Sequence, residues 1–95
     1  MLEIRTSALF NSWFESLDLV ARGRIQSRLR KASFGNFGDC KPVGGGVSEM
    51  REHFGPGYRM YYKQVEGAVI FFLAGGDKAT QTKDIAQAVR LAKEL

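Results

Sequence analysis

The chain has 95 residues, enough for one domain (1–95) and too few for two. Its 44% hydrophobic and 25% charged residues are ordinary globular composition and exclude global disorder. Fourteen Lys and Arg against ten Asp and Glu leave a net charge of +4, which suggests an anionic partner. Cys40 is the single cysteine and His53 the single histidine, so neither an internal disulfide nor a Cys/His zinc site is expected, and no cofactor is implied. The start, Met1-Leu2-Glu3-Ile4-Arg5, lacks the apolar run of a signal peptide, and the longest apolar stretch, 68–74, is too short to span a bilayer. The expectation is a cytoplasmic protein with no membrane partner.

In chain order, Leu2 to Arg5 alternate as a short strand would. Thr6 or Ser7 can cap a first helix, on which Phe10, Trp13, Phe14 and Leu17 share one face. Asp18 can cap a second helix with the stripe Ala21, Ile25, Leu29 and Ala32. Residues 19–38 carry five basic side chains, Arg22, Arg24, Arg28, Arg30 and Lys31, and no acidic one. Such a helix is either a solvated face or a surface for RNA phosphates, which position a protein without reading sequence. Gly35, Gly38 and Gly44-Gly45-Gly46 then mark a loop holding Lys41 and Pro42. Beyond it the period falls from 3.6 to 2. Residues 47–54 and 58–65 read as a hairpin around Gly55-Pro56-Gly57, and 68–74 as a third strand after Glu66-Gly67. A last helix starts near Thr80 or Thr82, with Ile85, Ala88, Val89 and Ala92 inward. The predicted order is β-α-α-β-β-β-α: an α+β fold with a small antiparallel sheet of about four strands and helices on one face.

Alternation assigns the faces. Met50, Phe54, Tyr58, Met60 and Tyr62 point toward the helices, whereas Glu49, Arg51, His53, Arg59, Tyr61 and Lys63 point to the other side. Lys78, just past Gly75-Gly76, can reach the edge of that second face. A solvated sheet face mixes charges in just this way, so the pattern alone does not define a site.

The stretches Gly38-Asp39-Cys40-Lys41-Pro42-Val43-Gly44-Gly45-Gly46-Val47-Ser48-Glu49-Met50-Arg51, Phe54-Gly55-Pro56-Gly57-Tyr58-Arg59-Met60-Tyr61-Tyr62 and Ala74-Gly75-Gly76-Asp77-Lys78-Ala79-Thr80-Gln81-Thr82-Lys83-Asp84-Ile85 add more. Together they resemble the phage-derived, HigB-like "addiction module killer" branch of the RelE/ParE toxin superfamily, over nearly the whole chain. The resemblance implies a RelE-like fold and a type II toxin–antitoxin system. It implies a ribosome-dependent mRNA endonuclease that attacks phosphorus with the ribose 2′-OH and uses no metal. The implied partners are the ribosome and mRNA, and a cognate antitoxin, often a helix-turn-helix protein encoded nearby, through which operator DNA is bound. A ParE-like inhibitor of DNA gyrase, or a non-toxic relative that only binds nucleic acid or a partner, shares the fold and stands as the alternative.

The implied chemistry assigns candidate roles. Arg59, of the Gly-Tyr-Arg motif, and then Arg51, of the Glu-x-Arg motif, stabilise charge growing on the phosphoryl oxygens. Lys78 and Lys41 hold a phosphate or neutralise the leaving oxygen. Glu49 is the candidate base for the 2′-OH, His53 an alternative acid or base, and Tyr61 a residue that stacks on a base or orients a phosphate. Lys63, Arg22, Arg24, Arg28 and Arg30 are candidate RNA-binding residues outside the centre.

Overall fold

A computed structural model describes residues 1–95. Its first strand, β1 (Glu3–Thr6), runs directly into helix α1 (Ala8–Glu15). The switch is made by Ser7, whose Oγ accepts from the Phe10 N–H at 3.0 Å and donates to the Leu73 carbonyl at 2.6 Å, so the cap also ties α1 to the sheet. Asp18 caps α2 (Leu19–Ser33) in the same way, accepting from Ala21 N–H at 2.8 Å. Then come β2 (Cys40–Gly44), β3 (Val47–Glu52), β4 (Tyr58–Val65), β5 (Val69–Gly76), a single 3₁₀ turn (Lys78–Thr80) and α3 (Gln81–Ala92).

The α+β class holds, with three corrections. First, the sheet has five strands, in the order β1-β5-β4-β3-β2. The additional strand is β2, which lies within the stretch predicted to be a loop. Its proline is tolerated because β2 is an edge strand. Arg51 N–H donates to Asp39 O, and alternation along β2 then turns the nitrogen of Pro42, which has no hydrogen to give, outward. Second, the sheet is mixed: β1 pairs β5 in parallel, and the other pairings are antiparallel.

Third, helices cover both faces. Phe10 of α1 and Ile25 and Ala32 of α2 pack with Met50, Met60, Tyr62, Ile70 and Phe72 on one side. On the other, Ala88 and Ala92 of α3 pack with Val47, Tyr61, Leu73 and Ala74. Leu73 and Ala74 share that side because the register shifts opposite Tyr61 and Tyr62, a bulge that admits an extra residue. The small side chains of α3 let it lie close to the sheet. At Gly76 an added Cβ would fall 1.8 Å from Asp84 Oδ2 and 2.6 Å from Thr80 Oγ1, so only glycine admits the helix start at this distance. No helix is long and apolar enough to cross a membrane.

Candidate active site

The second face is thus divided. Its Val47/Tyr61/Lys63 end is roofed by α3, and its Arg51/Arg59 end lies beyond the start of that helix. Arg51 and Arg59 are register partners on β3 and β4, so their side chains leave the same face one strand apart. In the row behind them, Lys41, Glu49 and Tyr61 are aligned across β2, β3 and β4. Lys41 is exposed at the sheet edge, whereas Glu49 and Tyr61 are both fully buried.

Glu49 is held at the floor of the site. Its Oε2 accepts from Gln81 Nε2 of α3 at 2.6 Å and from the Tyr61 hydroxyl at 3.2 Å, and lies 3.8 Å from Arg59 Nε. Its Oε1 has no hydrogen-bond partner. A base must reach the proton it takes. With no exposed surface, Glu49 cannot touch a ribose in this structure, and the expected role does not fit. The geometry makes Glu49 the anchor that fastens the start of α3, with Arg59 as its neighbouring cation. Tyr61 is corrected for the same reason: a buried ring cannot stack on a base. Burial and the Glu49 charge also push its phenol above the ordinary tyrosine value, so it stays neutral and donates.

Arg59 keeps 12% of its side-chain surface exposed, with Nη1 only weakly engaged by Gly57 O at 3.5 Å. Gly57, at φ +80°, lies beside both Arg59 and Lys78. A Cβ added there would sit 3.9 Å from Arg59 Nη1 and 3.7 Å from Lys78 Cβ. Lys78 is exposed and starts the 3₁₀ turn. That turn is fixed by a capping box in which Asp77 Oδ1 accepts from Ala79 N–H at 2.8 Å and Thr80 N–H at 3.2 Å, while Thr80 Oγ1 accepts from Asp77 N–H. Arg59 and Lys78 therefore meet beside Gly57, and Arg51 leaves the same face one strand away.

Arg51 is the more open of the two arginines, with 29% of its side chain exposed. Its Nη2 donates to Asp39 Oδ1 at 3.1 Å, and Asp39 Oδ2 is 2.5 Å from His53 Nε2. Asp39 is not among the residues expected from the sequence, because the stretch it opens reads as a loop. Its place between Gly38 and the first residue of an edge strand is the one signal of it. The bond to His53 above all, and then the charge and hydrogen bond of Arg51, hold the Asp39 carboxyl below the ordinary carboxylate range, against an opposing desolvation. His53 itself keeps 75% of its side chain exposed.

The outer candidates separate into free and engaged groups. Lys63 Nζ donates to Ala92 O at 3.3 Å and caps the end of α3. Arg28 is also structural: Nη1 donates to Arg51 O at 2.5 Å, Nη2 to Phe37 O at 3.3 Å, and Glu52 lies 3.6 Å away. Arg22 is half-buried, with Nε out of solvent. Arg24 and Arg30 are exposed, and the Arg24 guanidinium lies 4.2 Å above the ring of Phe54. The main concavity, about 590 Å³, lies elsewhere, between α1 and the start of α3; it sets Asp77 and Asp84 against Lys83 and does not suit a polyanion.

A two-helix hairpin, a twisted sheet and a short helix roofing part of its second face define the fold of the toxin RelE. Over 95% of this chain and 96% of the other, the structure matches a mutant of E. coli RelE in the free state with a TM-score of 0.79 at 16% sequence identity. The isolated E. coli RelE toxin matches at 0.69 with 13% identity, over 90% of this chain and 97% of that one. A chain of the intact E. coli RelBE toxin–antitoxin complex matches at 0.66 with 12% identity, over 81% and 96%. No protein-family model matches the sequence. The chain belongs to the same family as a Haemophilus influenzae protein described as uncharacterized, to which it is 46% identical over 99% of its own length and 96% of the other's.

Proposed function

We propose that the chain is the toxin of a type II toxin–antitoxin system, of the HigB-like addiction module killer branch, and that it cuts mRNA on the ribosome. The observation that carries this reading is the pairing of Arg51 with Arg59 on the part of the sheet face that α3 leaves uncovered, with Lys41 and Lys78 at its rim. Four cations around one exposed edge suit a phosphodiester better than a protein surface. In the reaction a ribose 2′-oxygen bonds to the adjacent phosphorus and the bond to the 5′-oxygen breaks. The products are a 2′,3′-cyclic phosphate and a 5′-hydroxyl. Charge accumulates on the phosphoryl oxygens, where the Arg59 and Arg51 guanidiniums donate charge-assisted hydrogen bonds. Lys41 and Lys78 grip the flanking phosphates, and Arg24 and Arg30 on α2 meet ribosomal RNA. Burial of Glu49 leaves a thin acid–base inventory at the surface, which favours dependence on the ribosome. Positioning of the reacting groups alone supplies on the order of 7–11 kcal/mol of a barrier. The likeness to a chain of the RelBE toxin–antitoxin complex supports a cognate antitoxin as the partner that keeps this surface silent. The test is to map 5′ ends of transcripts after brief induction, with and without active translation. New 5′-hydroxyl ends confined to translated messages support the proposal; intact transcripts with altered plasmid supercoiling point to a gyrase inhibitor.

A further inference from the structure

With Glu49 sealed, the exposed proton-exchanging side chain that shares a carboxylate with Arg51 is the imidazole of His53. It does not lie loose on the surface. The carboxylate of Asp39 binds it through Oδ2 at 2.5 Å and binds Arg51 through Oδ1 at 3.1 Å, so one side chain sets two groups at a fixed spacing. Asp39 is itself held by its backbone. Its carbonyl accepts from Arg51 N–H at 2.8 Å, Gly38 N–H donates to Asn36 Oδ1 at 3.2 Å, and Arg28 clamps the Phe37 carbonyl just upstream. Asp39 occupies Nε2, and the other ring nitrogen, Nδ1, makes no hydrogen bond on this largely exposed ring.

We infer that Asp39 is a positioning residue, and that it holds His53 as the proton donor to the leaving 5′-oxygen while it aims Arg51 at the same phosphate. The inference rests on the RNA-cleavage reading above and specifies its proton path. In the step, the 2′-oxygen bonds to phosphorus and its proton passes to solvent water. The phosphorus–5′-oxygen bond breaks as the imidazolium delivers the Nδ1 proton to that oxygen. The neutral imidazole then takes a proton back from water. The Nε2–H stays on the histidine and points at Asp39 throughout, which fixes the ring, as a carboxylate beside a catalytic histidine does.

The test compares two mRNAs cut on ribosomes in single turnover: one natural, and one in which the 5′-oxygen at the cut linkage is replaced by sulfur. A thiolate leaves without being protonated, so loss of the proton donor no longer matters. On the natural message His53→Gln should slow cleavage by about 100-fold or more, the usual contribution of a positioned acid, and Asp39→Asn by about tenfold. On the sulfur-substituted message His53→Gln should cut within about threefold of wild type, and Asp39→Asn should keep only the smaller defect that comes from a misaimed Arg51. Both sites are exposed, and thermal melts alongside verify that the variants fold. A His53→Gln defect of equal size on the two messages, or no defect on the natural one, overturns the inference while leaving the endonuclease reading intact. A wild-type protein that cuts neither message overturns both.

Discussion

At Arg59 the fold and the proposed chemistry meet in one side chain. It lies 3.8 Å from a carboxylate that has no exposed surface, so Arg59→Ala removes the cation nearest Glu49 as well as the proposed donor to phosphate. Arg59→Lys keeps the charge and loses the planar fork. Both variants should lose growth arrest, because one pre-organised donor at a developing charge is worth on the order of 3 kcal/mol. Only the alanine variant should also melt clearly below wild type; an arginine that merely buttressed the fold would let the lysine variant stay toxic. Glu49→Ala strips the Gln81 amide and the Tyr61 hydroxyl of their acceptor, at a cost of about 1–3 kcal/mol, read by denaturant unfolding. A Glu49 variant as stable as wild type would contradict its role as anchor. Asp39 makes a prediction in pH. Its folded carboxyl is depressed below the ordinary value of 3.8, so its contribution to stability is present above that value and is lost as pH falls through the lower folded one. Wild type and Asp39→Asn should therefore differ in stability at neutral pH and converge in strong acid.

At the scale of elements, α2 does not act as a uniform basic surface. Arg28 pins the backbone of β3 and of the segment before β2, so reversing its charge should unfold the protein and say nothing about RNA. Reversal of the exposed Arg24 and Arg30 is the clean experiment. It should weaken ribosome binding and flatten its dependence on salt, by up to about 0.7–0.9 in log–log slope for each phosphate no longer neutralised. An unchanged slope would remove α2 from the interface. Both helix caps, the hairpin strands and the sharing of faces along β3 and β4 are legible in the sequence, because periods of 3.6 and 2 and the residues Ser7, Asp18 and Gly55-Pro56-Gly57 carry them directly. Two features are not. Cys40–Gly44 reads as loop because Gly38, Pro42 and Gly44-Gly45-Gly46 crowd it, and an edge strand is the one sheet position where such residues survive. The placement of α3 is hidden because its stripe of Ile85, Ala88, Val89 and Ala92 fits either face. Val47 and Tyr61, apolar residues among the charges of the second face, are the subtle sign that part of that face is covered. With α3 on the wrong side Glu49 and Tyr61 look exposed, and without β2 Asp39 has no place beside Arg51.

Over the whole molecule, a net charge of +4 resolves into a few usable cations once the engaged ones are set aside. Lys63 and Arg28 bond to backbone carbonyls, Arg51 and Arg59 lie beside the carboxylates of Asp39 and Glu49, and Lys41 and Lys78, with Arg24 and Arg30 on α2, are exposed. A ribonuclease that relies on this surface needs its substrate presented in the right geometry, which is what translation would provide. Cleavage on the ribosome therefore stands or falls on transcript ends mapped after a short pulse of induction, in cultures with translation running and in cultures where it has been blocked. New 5′-hydroxyl ends should form within coding sequences, and should disappear when translation is blocked and when Arg59 is replaced by lysine. Transcripts that stay intact while growth stops, or ends that form equally well on untranslated RNA, would contradict it.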